Sequence, residues 1–379
     1  MLNFNKYALW KDVSLSDWTD WKWQYQNCIT SVDELSEVIN LSNDEIIGIE
    51  EATKYYRMKI SPHICLLIAE HPNTAISASL KRQFFPSSLE VIEDNRLFSD
   101  VNSDSQFMPV KGLVHRYPTK VLIFPSNNCG TFCRYCFRKK YVGGKETQLS
   151  FSELNPIFSY LKVHGDVNEV IFSGGDPLTA TNDKIEYILE RLSQIESIHI
   201  VRFHSRMPIT IPYRIDEQFI DILDRYRHRF ATYFVVHIDT MNELSDEALL
   251  SISKMTDMGI SCLASCPLLK GINDSEESLG NLWQFLVENQ IKPYYLFHTD
   301  PVVGIRHFVV PLERGLEIMQ HLYDKVSGVA IPLYCFNVPN GGGHILLSPP
   351  NVKKVEEHHY KIVNFEGKVF DYTEPLDNN

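Results

Sequence analysis

Val121-Leu122-Ile123-Phe124-Pro125-Ser126-Asn127-Asn128-Cys129-Gly130-Thr131-Phe132-Cys133-Arg134-Tyr135-Cys136 joins a short apolar run to three cysteines spaced C-x3-C-x2-C. The run reads as a buried strand, and the cysteines follow it on one tight loop. Three such thiolates match three irons of a [4Fe–4S] cube and leave the fourth iron without a protein ligand. An open iron is a chemical site, because a small molecule can chelate it. Other chemistries suit the spacing less well. A structural zinc ion calls for a fourth Cys or His at short spacing, and none follows. A redox C-x2-C pair leaves Cys129 without a role.

Outward from this loop, short apolar runs alternate with amphipathic segments. Strands are predicted at Val121–Phe124, Glu169–Phe172, His199–Phe203, Thr232–Val236, Ser261–Ala264, Tyr294–Phe297 and Val329–Tyr334. Helices are predicted at Asn182–Ile195, Asp216–Arg225, Ser245–Met258 and Ser275–Asn289. Strand then helix, repeated, implies parallel βαβ units and an α/β fold of the partial (β/α) TIM-like barrel kind. Residues 116–345 are assigned to that core, and residues 1–115 to a mostly helical N-terminal region. There, Ser42-Asn43-Asp44-Glu45 looks like a helix entry, Pro62 like a stop, and Trp18, Trp21 and Trp23 like packing. Residues 346–379 are a short C-terminal extension with Pro349, Pro350 and a strand-like Phe370–Tyr372, too small to fold alone.

Of the 379 residues, 44% are hydrophobic and 22% charged, which argues for a globular chain over a disordered or fibrous one. Lys and Arg number 36 against 48 Asp and Glu, and the net charge of −12 disfavours a protein that grips nucleic-acid phosphates. No apolar run approaches the roughly 18–20 residues of a membrane helix. Met1-Leu2-Asn3-Phe4-Asn5-Lys6 lacks the basic-then-apolar layout of a secretory signal, so a cytoplasmic protein with no membrane partner is expected. The eight cysteines, Cys28, Cys65, Cys129, Cys133, Cys136, Cys262, Cys266 and Cys335, hold one cluster and no framework spacing. Reduced thiols fit that better than a disulfide scaffold.

A second motif, Ser173-Gly174-Gly175-Asp176-Pro177-Leu178, directly follows the predicted strand Glu169–Phe172. Glycines at a strand end let the backbone approach a ligand closely. With the cysteine spacing, this arrangement resembles the radical S-adenosylmethionine superfamily. The resemblance implies that S-adenosylmethionine chelates the open iron through its amino and carboxylate groups. One electron from the cluster then splits the sulfonium, and the 5′-deoxyadenosyl radical takes hydrogen from an unactivated C–H bond. The cofactor carries the hard chemistry, and the protein supplies position and exclusion of water. Gly174, Gly175, Asp176, Ser205 and Tyr135 are the implied cofactor bed.

Further segments resemble the lysine 2,3-aminomutase family over almost the whole chain. They include Trp18–Gln24, His115-Arg116-Tyr117-Pro118, Arg138-Lys139-Lys140, Ser205-Arg206-Met207-Pro208, Leu268–Asp274, Tyr294–Phe297, Gly304–Phe308 and Tyr372-Thr373-Glu374-Pro375. In that family pyridoxal phosphate (PLP) rests as a Schiff base on a lysine that follows a glycine run. Here Gly341-Gly342-Gly343 leads to His344, and an imidazole cannot form that neutral Schiff base. PLP held on a side chain is therefore not expected, while free PLP condensing with a substrate amine remains the alternative.

The same resemblance assigns Arg138 to the substrate carboxylate, a role suited to a planar bidentate donor; the alternative is a surface cation beside the cluster. Asp300 matches one of two aspartates that hold the distal ammonium of lysine, and Asn337 stands at the other, so a basic or polar amino acid is expected. Arg116 and Lys120 match residues near the PLP phosphate. Tyr135 stands where His, and Ser265 where Gln, is usual. His237 matches a pocket histidine, with a hydrogen-bonded core histidine as the other reading, and His204 replaces a small residue. Zinc is not expected, since Ser275 occupies a ligand position and no cysteine cluster follows Pro375.

The expected activity is reductive cleavage of S-adenosylmethionine and hydrogen abstraction from an amino acid. The alternatives are an aminomutase with non-covalent PLP and a non-catalytic iron–sulfur protein. The implied partners are the amino acid and a reductase, flavodoxin or ferredoxin electron donor. A homodimer is compatible with the resemblance.

Overall fold

Nine strands form one sheet in chain order: β1 (Leu113–Tyr117), β2 (Lys120–Ser126), β3 (Glu169–Gly174), β4 (Ile200–Ser205), β5 (Ala231–His237), β6 (Ser261–Pro267), β7 (Ile291–Phe297), β8 (Leu333–Val338) and β9 (Gly343–Leu346). The computed structural model describes residues 3–144, 148–323, 325–348, 351–357, 359–364 and 367–374. Pro349, Pro350 and Pro375 lie outside the described residues. Neighbours from β2 to β8 are parallel, and the outer pairs β1–β2 and β8–β9 are antiparallel. Each parallel step is bridged by a helix of ten or more residues: Phe151–Val163, Asn182–Ser193, Glu217–Tyr226, Asp246–Asp257, Glu276–Glu288 and Leu312–Leu322. Parallel neighbours need such crossovers.

Among the described residues no strand ladder joins β1 to β9, so the barrel is partial. The two edges meet through a side chain instead, where the His344 backbone N–H donates to the Tyr117 hydroxyl over 3.0 Å. A further three-stranded antiparallel sheet is made by β10 (Val352–Glu356), β11 (His359–Val363) and β12 (Val369–Thr373).

The period of two along a strand sorts residues between the helices and the interior. On β3, β4 and β5 the residues Phe172, Phe203 and Phe234 face the helices and pair in register. Their rings stack at 4.5 and 5.8 Å, and Phe219 from Glu217–Tyr226 meets Phe203 edge-on at 5.9 Å. The alternate residues Ile171, Arg202, His204, Val235 and His237 therefore line the opposite, concave side. A one-residue slip of β4 would exchange Phe203 for His204 on both faces, which fixes the register.

The N-terminal region packs its own apolar cluster, including Trp10, Trp18, Leu35, Ile64 and Phe84. Its helix Asn43–Thr53 starts with a reciprocal capping box between Ser42 and Glu45. The region also grips the cysteine loop. Phe132 N–H donates to the Lys59 carbonyl at 2.8 Å, Arg134 N–H to the Gln83 carbonyl at 2.8 Å, and Lys59 Nζ to the Cys129 carbonyl at 3.1 Å. Buried Glu90 receives both Arg134 and, at 2.7 Å, Lys139.

Several expectations are corrected. Pro62 opens a helix, Pro62–Glu70, rather than closing one, because its missing N–H costs nothing at the first helical position. The last parallel strand runs over Leu333–Val338, not Val329–Tyr334. Pro332 cannot donate to a ladder, and Gly328–Ala330 forms a 3-10 turn instead. β1 starts before residue 116 and β9 ends after 345, so the main sheet overruns both expected boundaries of the core. Among the described residues no helix is long and apolar enough to cross a membrane.

Candidate functional site

The concave side of the sheet encloses a cavity of about 330 Å³. Cys129, Cys133 and Cys136 line it together with Gly174, Gly175 and Asp176, Arg138, His204, His237, Asp300, Asn337 and His344. The strand ends thus deliver to one space groups that lie far apart in the chain, as the barrel architecture requires.

Among the described residues no three Cys, His, Asp or Glu side chains converge tightly enough to hold a single metal ion. Three cysteines without a fourth ligand match the donor set of a [4Fe–4S] cluster rather than that of a single structural ion. Burial and mutual charge push the Cys129 thiol well above its usual range, with Asp176, Cys136 and Cys133 adding to the shift. Holding all three as thiolates would therefore take positive charge close by. Arg206 supplies part of it, donating from Nη1 to Cys133 Sγ at 2.8 Å.

The glycine loop packs directly on the residues that precede the cysteines. Gly175 N–H donates to the Ser126 carbonyl at 3.0 Å and Asp176 N–H to the Asn128 carbonyl at 2.6 Å. Gly174 has φ of +114°, and a Cβ there would sit 2.5 Å from the Ser126 carbonyl oxygen. A Cβ on Gly175 would lie 2.6 Å from the Asn127 carbonyl carbon. These glycines are needed for close approach between backbones. Asp176 accepts from Ser205 Oγ at 2.8 and 3.0 Å, from Arg206 N–H at 2.8 Å and from Leu178 N–H at 3.0 Å. Its carboxylate ties β3 to β4, and Ser205 is its partner in that tie.

Tyr135 turns its hydroxyl to Asp239, Arg206 and, at 3.3 Å, His237 Nε2. His237 Nε2 lies 2.9 Å from Asp239 Oδ1. Arg206 Nη2 completes the network with Glu243 and Gln83, and with Asp239 at 3.1 Å. Arg206, Asp239, Glu243 and Gln83 were absent from the sequence-based site. Only the segment Ser205–Pro208 marked the neighbourhood, and nothing linked residues 83, 206 and 239–243.

Arg138 is held on three sides. Its guanidinium lies 4.6 Å from the Phe124 ring and 4.8 Å from the Phe137 ring. Nη1 donates to the Gly174 carbonyl at 2.9 Å, while Nη2 and Nε reach Asp104 Oδ2 at 2.7 and 3.3 Å. Across the cavity, Asn337 Nδ2 donates to Asp300 Oδ1 at 3.0 Å. Burial pushes the Asp300 carboxyl up to about 6, against the opposing pull of Asn337 and Arg138.

His344 sits on β9 opposite Asn337. Its ring is 5.4 Å from Phe297 and 6.3 Å from both Tyr117 and Tyr295. Desolvation against these rings, then the charges of Lys120, Arg116 and Arg202, push its imidazole down to about 4, although its edge remains open to solvent. Arg202 pairs with Glu169 at 2.8 Å. Arg116 Nη2 donates to the Asn102 carbonyl, whereas among the described residues Arg116 Nε, His204 Nε2 and Asn337 Oδ1 are buried without a hydrogen-bond partner. Burial first, then the charges of Arg202 and Arg138, push the His204 imidazole well below its usual range.

Residues 123–282 match the family model for the radical SAM superfamily, and residues 319–379 match the model for lysine-2,3-aminomutase. The L-lysine 2,3-aminomutase of Clostridium subterminale is 32% identical, with 99% of this chain and 89% of that protein covered. The L-lysine 2,3-aminomutase of Bacillus subtilis is also 32% identical, over 98% of this chain and 78% of that one. The glutamate 2,3-aminomutase of Clostridioides difficile is 32% identical, over 93% of this chain and 82% of that one.

Proposed function

Because this chain belongs to the lysine 2,3-aminomutase family of radical S-adenosylmethionine enzymes, we propose that Cys129, Cys133 and Cys136 hold its [4Fe–4S] cluster and that Arg138, Asp300 and Asn337 hold an amino acid beside it. One observation carries this reading: all six side chains line a single cavity. The cluster and S-adenosylmethionine supply, when bound, the one-electron cleavage and the carbon radical that removes a substrate hydrogen.

The chain's own residues bind and orient. Arg138, clamped between two rings, presents the Nε–Nη2 edge to a carboxylate. Asp300 and Asn337 offer one carboxylate and one amide to the far end of the substrate, which suits a single cation or a polar group. Gly174, Gly175 and Asp176 shape the cofactor bed by holding the 126–128 backbone in place, and Tyr135 and Ser205 brace it through Asp239 and Asp176. His237 and His204 face the same space, His204 with a free nitrogen for the substrate. The aromatic wall of Tyr295 and Phe297 keeps water from the reacting carbon.

The PLP of related enzymes does not fit here as a covalent group. His344 stands at the anchoring position among aromatic rings, and its imidazole is neutral. Hydrogen abstraction without a resting Schiff base is therefore the leading reading. A second reading, PLP held without a bond, draws support from Arg116 and Lys120, which line the cavity near His344. Electrons come from a flavodoxin or ferredoxin type of donor in the cytoplasm. Anaerobic incubation with S-adenosylmethionine, reductant and side-chain-deuterated amino acids should yield deuterated 5′-deoxyadenosine. Undeuterated product with every amino acid would refute the substrate class. A PLP absorbance band that survives gel filtration, with a β-amino acid product, would favour the second reading.

A further inference from the structure

Arg138 is already paired with a carboxylate from this chain. Asp104 meets it through two nitrogens, at 2.7 and 3.3 Å, and both side chains are largely buried, with 16% and 19% exposure. Nη1 already donates to Gly174, and the Nε–Nη2 edge, which suits bidentate pairing with a substrate carboxylate, is the edge that Asp104 occupies. Phe124 and Phe137 pack against the guanidinium and favour this orientation.

Asp104 begins the short 3-10 turn Asp104–Phe107. Upstream, the chain is firmly fixed. Phe98 pairs with the loop after β7 (Phe98 N–H to the Pro301 carbonyl, 2.8 Å; Val303 N–H to the Phe98 carbonyl, 3.0 Å), and Val101 is fully buried. The Asn102 carbonyl accepts from Arg116 and Ser103 N–H donates to Asp100 Oδ1 at 2.9 Å, but Ser103, a non-glycine residue, takes a left-handed φ of 49°, and Phe107 holds the far end of the turn against the Arg116 guanidinium, at 4.4 Å. A strained hinge thus separates the buried anchor from the segment that carries the competing carboxylate.

We propose that Asp104 is an internal competitor for Arg138 and determines which substrates enter: an α-carboxylate displaces it and releases the Asp104–Phe107 turn at the Ser103 hinge. This rests on the assignment of Arg138 to the substrate carboxylate. Exchanging one carboxylate for another on the same guanidinium preserves the charge-assisted pair, so the cost of entry falls mainly on the turn. A ligand without a carboxylate has nothing to exchange and meets a closed site.

The test uses the reconstituted enzyme with S-adenosylmethionine, and L-lysine, L-glutamate and their α-carboxamides as probes. Amide hydrogen exchange over residues 103–107 should accelerate with a free amino acid and stay unchanged with its carboxamide. Asp104→Asn should tighten binding of the acid by about tenfold, the scale of one charge-assisted hydrogen bond, and leave the carboxamide unaffected. Exchange that is unchanged or slowed by both acids, or accelerated equally by a carboxamide, overturns the proposal. Arg138→Lys separates the two levels. If it weakens binding of the acid while exchange at 103–107 does not respond, only the competition by Asp104 falls. If Arg138→Lys binds the acid as tightly as the unaltered enzyme, the assignment of Arg138 falls with it.

Discussion

Asn337 Nδ2 donates a 3.0 Å hydrogen bond to Asp300 Oδ1, so the two groups at the far end of the cavity are engaged with each other before any substrate arrives. Burial pushes Asp300 up to about 6, so the carboxyl is neutral below that pH and charged above it. Affinity for L-lysine should therefore fall as pH drops below 6, approaching about tenfold per pH unit for a single proton. Asp300→Asn should flatten the profile, measured by calorimetric titration. The sign for stability is the opposite. A carboxyl raised in the folded state favours folding when protonated, and that advantage is lost as pH rises from its unfolded value through 6. Asp300→Asn should thus raise the melting temperature at pH 8 more than at pH 4.

Gly175→Ala places a methyl against the Asn127–Asn128 backbone, immediately before Cys129. Backbone has no rotamer with which to yield, so the cysteine loop must shift. Reconstituted protein should carry less than half the iron of the unaltered chain, with its circular dichroism retained. Full iron loading would show that the loop accommodates the methyl.

His344→Lys restores a primary amine at a position that faces Lys120, Arg116 and Arg202. Those charges favour the neutral amine, which is the nucleophilic form. After incubation with PLP and borohydride, mass spectrometry should find a pyridoxyl adduct at residue 344 in the variant and none there in the original chain. An unmodified variant would mean that the aromatic surroundings leave no room for the cofactor.

Arg206→Met removes the cation shared by Cys133, Asp239 and Glu243, all within reach of one guanidinium. Two buried carboxylates would then lack their counter-charge, a loss of about 3–5 kcal/mol. Thermal unfolding should show a clear fall in melting temperature in the apo protein as well as the loaded one. A fall confined to the loaded protein would place the role of Arg206 at the cluster alone.

The parallel strands up to β7 were legible because each is a short apolar run between turn residues, and Glu169, Thr232 and Ser261 all lie at or next to observed strand starts. The antiparallel edges were not. β1 carries His115 and Arg116 in its middle and β9 has only four residues, so neither shows an apolar period. Pro62 was misread because one residue type both opens and closes helices, and only the cap contact from Ser61 to Ile64 N–H distinguishes the cases. In the site, the cysteines and Gly174–Asp176 were visible through spacing. Asp104 was not, since it lies in the polar run Asn102-Ser103-Asp104-Ser105-Gln106 and its partner is 34 residues away. The buried net around Arg206 had no local pattern either, because its members come from four separate stretches.

Where β1 and β9 face each other, one phenol oxygen receives one amide proton. Among the described residues no backbone ladder closes that side, so the sheet's two edges are joined through the Tyr117 side chain while every strand keeps its own neighbours. The opposite flank is riveted to the N-terminal helices through Lys59, Gln83 and Glu90. The cysteine loop is thereby backed by hydrogen bonds and ion pairs from outside the sheet, whereas the seam between β1 and β9 relies on a phenol side chain.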